Sequence, residues 1–277
     1  MKIDRLDLDG AASPLALVTR ILEVVPDLPI PVPLEQLCER FDIASIAELH
    51  TAGFEAALIT DQAKALGAIL VRAGVSPQRR RFSIAHELGH FLMPSHLPPL
   101  GGEFLCSSAD LAALSKHEHG RHARREAEAN QFAAHLLIPP PILEAKLGSH
   151  PLDLAEIGRL ARTFDVSREA MARACVDQCA SAAAVIMVSD GMIQRMYRRE
   201  GQFPYIETGR GQPVPAGSVF HGCTLSPGLA TGMASCEPGV WLAGRSLRTV
   251  ASLEEQVLFQ HNGYAMILLN AELRVAA

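Results

Sequence analysis

His86-Glu87-Leu88-Gly89-His90 is the stretch on which the reading of this chain turns. On a helix, residues four apart lie on one face, so the imidazoles of His86 and His90 can grip a single cation. Glu87 follows the first of them directly, where its carboxylate reaches a metal-held water without binding the metal itself. Two histidines holding Zn2+ and a glutamate taking a proton from water make half of a zinc-hydrolase site. The ordinary alternative is a pair of histidines on a core helix, so the motif needs a helix around it and a third ligand. The helix is signalled: Phe82, Ala85, Leu88, Gly89 and Leu92 recur at helical spacing, and Pro94 ends the run.

The third ligand is sought in a second periodic stretch, from Arg124 to Pro139. Its apolar positions 129, 132, 133, 136 and 137 mark one face of a helix that prolines close. At about 100° per residue, Glu126 falls roughly 50° from the centre of that stripe and Glu128 roughly 110° away. Glu126 is therefore the expected ligand and Glu128 the alternative. Asn130, one turn after Glu126, is placed to hydrogen-bond a ligand histidine. The competing reading of both glutamates is a solvated face paired with Arg121, Arg124 and Arg125.

Arg80 to His90, followed by Glu126-Ala127-Glu128-Ala129-Asn130-Gln131-Phe132-Ala133-Ala134 and Leu136-Leu137-Ile138-Pro139, resembles the ImmA/IrrE family of metallo-endopeptidases. Ile30 to Leu37 is similar to that family's opening segment, and the likeness spans roughly residues 25 to 180. The resemblance implies a cytoplasmic zinc protease of the gluzincin type. Its expected substrate is a helix-turn-helix repressor, whose cleavage derepresses genes under stress or mobile-element signals. It implies one Zn2+ per chain, with Mn2+ as a substitute, and a third ligand at the Glu four residues before an Asp or Asn, which again picks Glu126. The departure is a long insertion, rich in Gly, Ser and His, that puts Glu126 36 positions after His90.

Other residues fill out the expected chemistry. An oxyanion donor is wanted, and a His or Tyr is the ordinary choice. Tyr197, Tyr205 and Tyr264 are remote in sequence, whereas His117, His119 and His122 lie just before the Glu126 helix, where a solvated loop is the plainer reading. Residues 67 to 73 read as a strand whose free edge could receive an extended peptide, with an ordinary sheet strand as the plainer alternative and both able to hold. Cys106, within the insertion, is a packing residue, an occluding fourth ligand or an oxidation sensor.

The chain has 277 residues, 48% hydrophobic and 20% charged, with a net charge of −5. That is globular composition, and it implies no general affinity for nucleic acid. The start carries acidic punctuation and no signal-peptide core, no apolar run reaches membrane-span length, and six scattered cysteines suit reduced thiols in a cytoplasm. Cys175 and Cys179 share a helix face without further ligands beside them.

Helices are expected over 14 to 24 and 33 to 41, then a small sheet over 45 to 75 behind the first metal helix. The fold class is α+β: a zincin-like metallopeptidase domain over 1–150, a helix-turn-helix-like segment over 151–180, and a β-rich C-terminal domain over 181–277. In the helical segment, Arg168 and Arg173 are offset by Glu169 and Asp177, so packing or partner docking is favoured over direct DNA reading. Asp190-Gly191 signals a hairpin, 263 to 269 a buried strand, and Trp241 a place in the last core. The C-terminal domain is a candidate for sensing or partner binding. The alternative function is a non-catalytic regulator that binds DNA or protein on a zincin scaffold; a toxin-like role in a two-protein module would share the protease chemistry.

Overall fold

Ser13 and Ser76 each start a helix by the same device. Each hydroxyl accepts the backbone N–H three residues on, and a proline follows at the first helical position. The computed structural model describes residues 1–98, 102–108, 110–112, 120–223 and 226–274. They form two compact units, Met1–Pro139 with Thr163–Ser167, and Pro140–Arg162 with Arg168–Ala277.

The first unit contains α1 (Pro14–Val24), α2 (Leu34–Arg40), β1 (Ile43–Leu49), β2 (Ala56–Thr60), β3 (Gly67–Arg72), α3 (Pro77–Leu92), β4 (Glu103–Cys106) and α4 (Arg121–Leu137). The strands make a four-stranded sheet in the order β1-β3-β2-β4, with β1 parallel to β3 and the other pairs antiparallel. The strand expected at 67 to 73 is thus β3, but it lies inside the sheet with both edges paired. It cannot receive a peptide as the sequence suggested; its alternating apolar residues are instead used to pack a central strand. The edges are β1 and β4, the latter a strand within the insertion that periodicity did not reveal, because four residues are too few for a pattern.

Gly89 sets how closely α3 meets α4. A methyl group there would fall 2.9 Å from Cδ1 of Phe132, which leaves no room for any larger residue without moving that ring. The C-terminus of α3 is held by Lys64, whose buried Nζ donates to the carbonyls of His90 at 2.7 Å and Met93 at 2.8 Å.

The second unit contains α5 (Pro140–Leu147), α6 (Leu154–Phe164), whose last two residues fall to the first unit, α7 (Arg168–Gln178), β5 (Ala182–Ser189), β6 (Met192–Arg198), β7 (Ala234–Cys236), α8 (Gly244–Arg248), β8 (Val250–Phe259) and β9 (Tyr264–Leu273). Its sheet is antiparallel throughout, in the order β6-β5-β9-β8-β7. The two residues between β5 and β6, Asp190 and Gly191, have φ of 50° and 74°, the positive values a tight hairpin turn needs. Trp241 is fully buried among Ile186, Ile193, Phe203, Val257 and Ile267. α7 packs on β5 and β6, which explains why β5 is apolar nearly throughout rather than alternating.

Candidate metal centre

His86, Glu87 and His90 are fully buried on α3, and Glu126 on α4 is nearly so. The Nε2 atoms of His86 and His90 lie 3.1 Å apart. Oε2 of Glu126 is 3.2 Å from the first and 3.4 Å from the second. Ligands about 2.0 Å from a tetrahedral zinc are about 3.3 Å from one another. The three atoms therefore outline one face of such a coordination sphere.

The tautomers follow from the outer contacts. Asn130 donates its amide N–H to the carbonyl of Asp110 at 2.8 Å, which turns its Oδ1 toward His86 Nδ1 at 2.9 Å. His86 Nδ1 must then carry a proton, and in the neutral ring that leaves Nε2 bare. His96 Nε2 faces the Glu128 carboxylate at 3.1 Å and donates to it, so its Nδ1 accepts from His90 Nδ1 at 3.0 Å. His90 Nε2 is bare as well. Burial is the main cause that pushes the pKa values of His90 and His96 down, to about 3 and about 4, so both rings are neutral.

Two bare imidazole nitrogens and a carboxylate oxygen facing one point, with no proton among them, repel one another. Glu126 Oε2 and both oxygens of Glu87 lack a well-aligned hydrogen bond among the described residues. Buried acceptors left in that state need a cation. The donor set of imidazole nitrogens and carboxylate suits zinc, and these residues fit it. For Glu87, burial dominates and raises the pKa to about 7.

Cys106 completes the cluster. Its Sγ lies 3.9 Å from His90 Nε2, and one donor atom from each of His86, His90, Cys106 and Glu126 falls within 4.8 Å of all the others. Glu87 has the Cys106 thiol as a polar neighbour.

Of the residues singled out in the sequence, Glu87, His86, His90, Glu126, Asn130 and Cys106 come together. Glu128 does not join them as an alternative ligand: its helical phase turns it to His96 and to Arg124, whose Nε donates at 3.0 Å. His122 stands at the margin, largely exposed, 3.6 Å from Oε1 of Glu126 and 3.3 Å from Asp110. His117 and His119 lie outside the described residues, and the three tyrosines belong to the second unit. Sequence reasoning missed His96 and Lys64. Pro94 ends the helical phase before His96, and Lys64 reaches α3 from a loop after β2, so no spacing marks either one.

Such a sheet, with two helices that bring a His-Glu-x-x-His pair and a distal Glu to one point, defines a zincin-like metallopeptidase domain. Residues 38–175 match a peptidase family model described as the IrrE N-terminal-like domain, and this segment belongs to that family. No curated protein matches the chain. Among solved structures, a Mycobacterium tuberculosis transcriptional regulator is similar at a TM-score of 0.53 and 15% identity, over 94% of this chain and 75% of that one. At that identity the likeness concerns the fold alone. No described helix is long and apolar enough to cross a membrane.

Proposed function

We propose that this protein is a zinc-dependent endopeptidase that cleaves a helix-turn-helix transcriptional repressor and so derepresses genes. The observation that carries the reading is the set of buried carboxylate oxygens, Oε2 of Glu126 and both of Glu87, that lack an aligned hydrogen bond among the described residues and lie beside the His86 and His90 Nε2 atoms. A zinc ion bound there supplies Lewis-acid activation of water and of the scissile carbonyl. His86, His90 and Glu126 hold it, while Asn130 and His96 fix the two rings. Glu87 takes the proton from the attacking water and passes it to the leaving amine, a task suited by a pKa of about 7. The free state of all six cysteines supports a reducing, cytoplasmic setting. The choice of repressor as substrate rests on the family resemblance.

The test pairs the purified protein with any helix-turn-helix repressor found encoded beside it. About one zinc per chain is expected, with cleavage that a chelator stops. Glu87→Gln should keep the zinc and lose roughly 10²–10⁴-fold in rate. Cleavage at the wild-type rate by that variant would overturn the reading.

A second reading, a non-catalytic regulator, is favoured by the fold likeness to a transcriptional regulator together with the helices α6 and α7. Its DNA-binding form is weakened by α7 itself. Arg173 pairs with Asp177 at 4.0 Å, and Glu169 accepts hydrogen bonds from Arg195 and Tyr197, so that helix presents mixed charge. A salt-controlled mobility shift on duplex DNA separates the two: specific binding without proteolysis favours the regulator.

A further inference from the structure

We propose that Cys106 is a fourth protein ligand of the metal, that it closes the centre in the resting protein, and that β4 must withdraw before a peptide can be hydrolysed. The second half rests on the peptidase reading; the ligand assignment does not. Catalytic zinc sites keep three protein ligands and an open position, whereas sites with four protein ligands are closed. Here four donors converge, with Cys106 Sγ 3.9 Å from His90 Nε2. A thiolate and an imidazole nitrogen on one tetrahedral zinc are about 3.5 Å apart. The Sγ–His90 Nε2 distance is within a few tenths of an ångström of that spacing, and the other two donors lie within 4.8 Å of the sulfur.

Cys106 is not there by the chance turn of a loop. β4 is laddered to β2 from Ala56 opposite Cys106 to Ile59 opposite Glu103. Backbone bonds continue the pairing at both ends, from Glu55 N–H to the Cys106 carbonyl and from Thr60 N–H to the Gly102 carbonyl, each 2.9 Å. Gly102 takes a φ of 74°, and a Cβ there would fall 2.5 Å from the Thr60 carbonyl oxygen, so the approach to β2 needs glycine. Within this register Phe104 and Cys106 point inward and Glu103 and Leu105 outward. The inward residue beside the metal donors is thus set by strand alternation.

An extended chain paired antiparallel to a sheet edge is also the form a substrate takes when it binds by strand addition. β4 occupies that position with a thiol where a substrate would present a carbonyl. A coordinating Sγ would have to give up its proton, for which the neighbouring Glu87 carboxylate is the acceptor at hand, and it would fill the position a metal-held water would otherwise take.

Replacing zinc with Co(II) in the full-length protein gives the decisive readout, because a thiolate ligand adds a near-ultraviolet charge-transfer absorption. We expect that absorption in the wild type and in Cys175→Ser, and its loss in Cys106→Ser. Zinc affinity should fall by about tenfold or more in Cys106→Ser and in Cys106→Ala, as for loss of a direct or supporting metal contact. Cleavage of the repressor, or of fluorescent casein as a probe, should rise several-fold in Cys106→Ala. A one-cobalt wild-type protein without the absorption, or a Cys106→Ser protein that keeps it, overturns the ligand assignment. If the absorption behaves as expected but the wild type cleaves as fast as Cys106→Ala, the strap is overturned. If neither cleaves, the closed centre stands and the peptidase reading fails with the strap.

Discussion

Glu87 and Glu255 are both fully buried, and each lies beside a buried cysteine, yet one is a working group and the other a structural one. On β8, Glu255 accepts the Ser218 hydroxyl at one oxygen and the Trp241 indole N–H, at 3.0 Å, at the other. Its charge is met by donors inside the core of the second unit. On α3, neither oxygen of Glu87 has a well-aligned hydrogen bond among the described residues, and its polar neighbours are a thiol and further acceptors. The same side chain at the same depth is stabilising in one place and costly in the other. Burial alone therefore says little about function; what matters is whether the partners are complete.

Three experiments bear on that contrast. The largest effect is expected from Glu255→Ala, which strands two buried donors and opens a cavity. It should destabilise the metal-free protein by about 4 kcal/mol in chemical denaturation. A loss under about 1 kcal/mol would mean that Glu255 is no keystone of its core.

Glu87 should behave in the opposite sense. Its pKa rises from 4.5 in the unfolded chain to about 7 in the folded one. Between those values the native state holds a proton that the unfolded state has lost, so the Glu87 contribution to stability falls as pH rises. Glu87→Gln has no such penalty. The metal-free variant should therefore gain on the wild type through this window, by on the order of 3 kcal/mol above pH 7. A margin that stays flat from pH 4.5 to 7.5 would show that Glu87 is satisfied after all.

The smallest effect tests the outer contacts. His96→Ala removes the acceptor that orients His90, and zinc affinity should fall by about tenfold to a hundredfold, read by competition with a chelating dye. Glu128→Gln should reproduce part of that loss by weakening the hold on His96. Unchanged affinity in both would reduce the histidine chain to packing.

Much of the first unit was open to inspection of the sequence. The pair at 86 and 90 lies on one face because helical spacing is a local geometry, and Pro94 marks the end of the helical run. The inward turn of Glu126 was legible from the apolar stripe of α4. In the second unit, the Asp190-Gly191 hairpin and the buried Trp241 were legible for equally local reasons, turn chemistry and size. The role expected for residues 67 to 73 failed, since alternation identifies a strand but not its place in the sheet.

What the amino-acid order determined by itself was a helix with two imidazoles on one side, a second helix with one carboxylate turned inward, and membership of a metallopeptidase family. Only the tertiary structure decided that Glu128 serves His96 rather than the metal donors, that β4 takes a sheet edge, and that a thiol completes the cluster. The physical reason is range. Periodicity records which side of an element faces inward, whereas these contacts join segments whose meeting depends on how helices and strands pack, and no repeat along the chain encodes that meeting.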